Sequence, residues 1–314
     1  MDAKVLLKNE RNVLKSVLGI SQYLIRIKND LRLITILGEA HQVEFDCKSH
    51  AISVKDYTLN ILNQGNSLVL LEIDPKLIKR KDKWPCSKPI KEILKSTKST
   101  KNIIGYDWRN TLMGNGNIEK GRKLQDNLYW PCSQKNCTKI VKNPKDSYLN
   151  TLSSSEVIEW YIIPLEKALK NDSILQKSDF EASDLQFLKD YRQSLLNDTK
   201  KLKENFKRKW NSHKRETKEE TKEELRNLWV KVTDWNILKH IYEYRSDVDT
   251  ILIITGESHR KNLDKKLLKR FQQEVRSGFL KHKENINIIE ISNNMSFQNC
   301  VHYFEWYKIN QINK

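Results

Sequence analysis

Five short runs of consecutive apolar residues constrain this chain more than anything else in it. Residues 31–37 run into Gly38, 67–71 into Glu72, 102–106 into Asp107 and 250–255 into Gly256, with a further run at 286–291. Runs of this length without polar alternation suit strands covered on both faces, as in a parallel sheet. Between them lie helix-like stretches at about 49–65, 151–170, 181–210, 216–243 and 262–282. Strands alternating with helices predict an α/β fold, a mainly parallel central sheet with flanking helices. Residues 23–27, followed by Lys28-Asn29-Asp30, supply an extra edge strand in a hairpin with the first run.

On this pattern residues 1–314 form a single α/β domain with two insertions. The stretch at about 110–150 holds Gly114, Gly116, Gly121, Pro131 and Pro144 with little periodicity, which predicts an irregular insertion of the sort that carries function. The stretch at about 151–244 reads as a large helical insertion. Within it, 200–224 is dense in Glu and Lys at helical spacing, a solvated face, and Asp234 reads as a helix N-cap. With 8 Trp, 11 Tyr and 8 Phe the chain has ample material for a core, so disorder is excluded.

No stretch reaches the roughly 18 apolar residues of a membrane span, and the first eleven residues are too charged for a signal peptide. The expectation is a protein without a transmembrane segment, cytoplasmic or virion-associated. Five scattered cysteines, among them a repeated Trp-Pro-Cys-Ser at 84–87 and 130–133, argue against a disulfide framework. The net charge of +17 comes from 43 lysines against only 14 arginines. That bias is what AT-rich coding produces, and base readers favour arginine. Weak association with nucleic acid or an anionic surface is therefore a secondary expectation.

One tetrapeptide recurs. Gly38-Glu39-Ala40-His41 closes the first strong run and Gly256-Glu257-Ser258-His259 a late one. Ligands of open α/β sheets gather at the carboxyl ends of the strands, and a His three residues past the Gly stands over that edge. The bland alternative is that each Gly ends a strand and each His caps a helix; duplication favours a convergent pair. Glu72 ends another run, where an unpaired charge is costly. Asp107 and Arg109 stand two apart, on one face if the strand continues. A buried Glu72–Arg109 ion pair is the structural reading; acid–base hydrolysis with Arg109 stabilising developing charge is the functional one. No phosphate loop, nucleophile elbow or His-Glu-x-x-His helix is present.

Two Gly-x-x-His motifs, a strand-end Glu between them and a following Arg resemble the erythromycin-esterase-like, ChaN-like and Tiki/TraB superfamily. Residues 71–74, Leu-Glu-Ile-Asp, are similar to the Glu-Leu-Asp strand of the Tiki branch, and the stretches 234–238 and 253–259 resemble uncharacterised proteins of large DNA viruses. The resemblance covers about a quarter of the chain. It implies an α/β hydrolase cleaving an ester, lactone or peptide bond. Glu39, His41, Glu72, Asp107, Arg109, Glu257 and His259 are then the candidate catalytic residues. It also implies that His41, Glu72 and His259 would hold a divalent transition metal, ahead of haem as cofactor, with the substrate unknown. The alternative is a catalytically silent binding or virion-associated protein that uses its basic surface.

Overall fold

The computed structural model describes residues 12–15, 17–27, 30–39, 52–63, 65–80, 87–129, 149, 152–170, 182–212, 215–276 and 300–303. The chain divides into two compact units. Residues 1–106 and 240–314 form the first, and residues 107–239 the second.

The first unit is built on a five-stranded sheet. Its strands are β2 (Val17–Ile27), β3 (Asp30–Glu39), β4 (Ser67–Leu71), β5 (Ile103–Gly105) and β6 (Thr250–Gly256), in the order β2-β3-β6-β4-β5. β2 and β3 form the expected antiparallel hairpin, while β3–β6, β6–β4 and β4–β5 pair in parallel. Every residue of β4 and β6 is buried, which is why these segments read as unbroken apolar runs. Polar cross-strand pairs interrupt the hydrocarbon at Ser67–Thr250 and at Gln22–Thr35. Gln22 faces Thr35 in register, and its amide donates to the Thr35 hydroxyl at 3.1 Å. Helices α1 (Val54–Asn63), α2 (Lys88–Ser96) and α9 (Glu257–Arg276) belong to this unit, as does a two-stranded antiparallel pair of β1 (Asn12–Lys15) and β7 (Cys300–Tyr303). The run at 286–291 lies outside the described residues.

The second unit is helical, with α3 (Arg109–Met113), α4 (Ile118–Tyr129), α5 (Ser154–Val157), a π-helical turn over Ile158–Ile162, α6 (Ile163–Lys170) and α7 (Ala182–Trp210), plus most of α8 (Arg215–Tyr244). Residues 110–129, which with Leu149 are the described part of the stretch at about 110–150 expected to be irregular, are thus largely helical. Gly114 and Gly116 do lie in the turn that joins α3 to α4, Gly116 at a φ of 90°, whereas Gly121 is a spacer. A methyl group on Gly121 would sit 2.8 Å from Asn110 Cα and closer still to its carbonyl, so α3 and α4 meet backbone to backbone. Helices α7 and α8 meet where the Tyr191 hydroxyl donates to Lys231 O at 3.3 Å and the Tyr191 ring stands edge-on to Trp235, 5.9 Å between centres. Leu188, Leu195, Leu202 and Phe206 on α7 and Leu225, Trp229 and Val232 on α8 are all buried. Lys231–Asp198 and Lys209–Glu224 ion pairs at 2.8 and 2.6 Å flank that seam. Asp234 is not an N-cap: it lies fully buried inside the continuous helix α8. N-cap preference is a local tendency, and the packing of a long helix overrides it. Among the described residues no helix is long and apolar enough to cross a membrane.

Candidate active site at the strand ends

Parallel pairing in register brings the carboxyl ends of β3, β6, β4 and β5 to one edge of the sheet. Glu39 stands opposite Gly256, and Leu71 opposite both Ile254 and Gly105. The first Gly-Glu and the second Gly-Glu-x-His motif are therefore neighbours, although the chain separates them widely. His41 lies outside the described residues.

Glu72 leaves β4 with its backbone N–H donating to Ile254 O at 3.2 Å. Its Oε2 then accepts from the Gly256 N–H at 2.8 Å and from the Thr255 hydroxyl at 3.3 Å. Gly256 immediately precedes α9, so this carboxylate sits at the positive end of that helix, where an anion is stabilised by dipole and orphan donors. The other oxygen, Oε1, lies 3.8 Å from His259 Nε2, with side-chain exposures of 10% for Glu72 and 5% for His259. The carboxylate and the imidazole thus face each other with little exposure to water.

Glu39 is almost completely buried, and its Oε2 accepts from the Ser87 hydroxyl at 2.8 Å. Ser87 is also the N-cap of α2, its oxygen accepting from the Ile90 N–H. Ser87 closes the first Trp-Pro-Cys-Ser; the rest of that tetrapeptide and all of the second copy lie outside the described residues. Asp74, next to the Glu72 strand end, caps the short turn Pro75–Leu77 by accepting from the Lys76 N–H at 3.0 Å.

Glu257 takes a different part. Its carboxylate is gripped at both oxygens by Arg260, Nε and Nη2 each at 2.7 Å, and Arg260 Nη1 reaches Ser21 on β2 at 2.6 Å. Burial alone would lower the Arg260 pKa; the Glu257 hydrogen bonds and charge outweigh it, and the guanidinium is held above its ordinary value. Gly38 provides the room: a side chain there would run into Glu257. Nearby on the same face the Tyr23 hydroxyl donates to the Asp264 carboxylate, and burial, reinforced by that bond, pushes its pKa far above the usual phenol range.

Asp107 and Arg109 belong to the second unit. The strand stops at Gly105, and Arg109 instead opens α3. Asp107 accepts from the Arg109 backbone N–H at 3.2 Å and grips its guanidinium at 2.7 and 2.9 Å, and the same guanidinium stands 5.3 Å from the Tyr129 ring centre. The carboxylate that compensates this buried Arg is thus its neighbour in sequence.

Of the residues picked from sequence, the structure brings Glu72 and His259 into a pair and seats Glu39 and Glu257 at the same strand ends, each with its own partner. Ser87 and Arg260 were missed. Arg260 had a signal, its i,i+3 spacing from Glu257 on a helix; Ser87 had only that of an N-cap before a Pro-containing first turn. Among the described residues no three His, Cys, Asp or Glu side chains are grouped so as to hold a metal ion. No protein-family model, no curated protein and no solved structure matches this chain.

Proposed function

We propose that the strand ends of the first unit form the active site of a hydrolase that cleaves an ester, lactone or peptide bond, with His259 as general base and Glu72 as the residue that orients it. The supporting observation is the largely buried Glu72–His259 pair at 3.8 Å, where open α/β sheets bind ligands. Gly256 and Thr255 fix one Glu72 oxygen and leave the other facing His259 Nε2. A carboxylate on that side favours the tautomer protonated at Nε2, so Nδ1 carries the lone pair that accepts a proton from attacking water. The imidazolium formed is then stabilised by the Glu72 charge and returns its proton to the leaving group. Glu39, held by Ser87, is a second carboxylate at the same edge. A carboxylate and an imidazole also suit a divalent transition ion. With His41 as third ligand they would hold it, and when bound it would supply Lewis-acid polarisation of a carbonyl.

The rival reading makes Glu72 simply the cap of α9, a role its bond to the Gly256 N–H would fill in a catalytically silent binding protein. A screen of ester, lactone and peptide substrates, run with metal analysis of the purified protein, separates the two. Hydrolysis that falls about 100- to 10,000-fold in His259→Gln, in a variant that circular dichroism shows to be folded, supports the proposal. Activity equal in wild type and His259→Gln removes it.

A further inference from the structure

The second unit contains a cavity of about 710 Å³ between α3, the π-helical turn, α6 and α8, within the range of roughly 300–1,000 Å³ typical of small-ligand sites. Its lining joins two chemistries. Trp108, Trp160 and Trp235 supply indole surface, and Lys120, Lys167 and Lys239 supply positive charge. Trp108 is 37% exposed, the large hydrophobic side chain that stands out at the surface among the described residues. At the rim of the cavity that indole offers a flat face on which a planar ring can stack. Trp160 and Glu159 both lie on the π-helical turn Ile158–Ile162. Such a widened turn re-aims side chains and concentrates at functional sites. The Lys120 ammonium stands 5.6 Å from the centre of the Trp160 ring, over its electron-rich face.

A purely apolar ligand would waste the lysines, and a simple anion would waste the tryptophans. A planar ring bearing an anionic group uses both, and Glu159 adds an acceptor for a ring amino group or a sugar hydroxyl. We propose that this cavity is a nucleotide site, which stacks the base on indole and takes the phosphate on Lys120 and Lys167. The ligand is a nucleoside phosphate, either a free mononucleotide or the end of a single strand. Every residue that lines it belongs to the second unit.

The test is tryptophan-fluorescence titration of the full chain in about 0.15 M salt, close to physiological screening, with AMP, adenosine, inorganic phosphate and a short oligo-dA. AMP should quench saturably, with adenosine and phosphate each at least about ten-fold weaker, since base stacking and phosphate pairing each contribute that much or more. Lys120→Ala combined with Lys167→Ala should weaken AMP about ten-fold and leave adenosine unchanged. Trp108→Ala should weaken both. All three positions are at least partly exposed, and circular dichroism confirms that the variants fold. Oligo-dA that displaces AMP and responds to the same substitutions identifies a strand end as the ligand. Oligo-dA that does not compete identifies the free mononucleotide. Inorganic phosphate binding as tightly as AMP, or AMP affinity unaltered by Trp108→Ala, overturns the proposal.

Discussion

Replacing Gly38 by Ala tests the packing beneath the candidate site most directly. The added methyl would overlap Glu257 Oε2 and come within 3.1 Å of both the Cα and the Cδ of Glu257. Glu257 cannot swing away cheaply, because Arg260 holds both of its oxygens at 2.7 Å. The Arg260 side chain in turn fills the space beside Gly19, where a methyl would fall 2.6 Å from its Nε. Overpacking of this sort costs about 1–3 kcal/mol, and loosening a mostly buried ion pair adds to it, since removing one partner outright costs about 3–5 kcal/mol. Gly38→Ala should therefore destabilise the first unit by about 2–4 kcal/mol. Glu257→Ala removes the carboxylate atoms that clash but strands Arg260. In the double variant the methyl added at position 38 no longer meets a carboxylate, so its cost on that background should fall below about 1 kcal/mol. Urea unfolding of the four proteins, followed by circular dichroism, measures the coupling, expected at about 1–3 kcal/mol. Strictly additive effects would refute the account of Gly38 as room for Glu257.

Gly121→Ala should destabilise the second unit by more than about 2 kcal/mol, because the atoms in the way are the Asn110 backbone, which has no rotamer to change; thermal unfolding reads it. Ser87→Ala removes both the α2 cap and the donor to Glu39. It should cost about 1–3 kcal/mol, whereas Ser87→Thr, which keeps the hydroxyl, should recover most of the loss in the same denaturation assay. The Tyr23 phenol has a folded pKa raised above its ordinary value of 10.0 by burial and then by Asp264. Its contribution is fully present below pH 10 and declines as pH rises toward the folded value, because the unfolded chain loses the proton first. Between about pH 10 and 11.5 wild-type stability should fall more steeply with pH than that of Tyr23→Phe. Parallel curves would show that Tyr23 ionises as freely as a solvent-exposed phenol.

Much of the scaffold was legible because burial on both faces leaves a plain mark. β3, β4 and β6 coincide with the apolar runs for that reason, and the long helices α7 and α8 follow the expected 181–210 and 216–243 stretches within a residue or so. The 110–129 stretch misled because glycine marks both a turn and a close helix crossing, and composition does not separate them. Asp234 misled because N-cap chemistry and a buried mid-helix carboxylate look alike until the packing around them is known.

For the candidate site the division is similar. Gly-Glu-x-His at two strand ends could be read directly, as could Glu72 at a third, since a polar residue closing an apolar run stands out in any linear reading. What the linear chain does not contain is which strands touch. Inserting β6 between β3 and β4 places Glu72 beside Gly256 and His259, turns Glu257 onto Gly38, and lets Ser87 reach Glu39. These contacts join segments far apart in sequence, and their energies depend on strand order, register and available volume. Local patterns therefore determined the elements and the residue types at their ends, while only the tertiary structure decided which charge meets which partner.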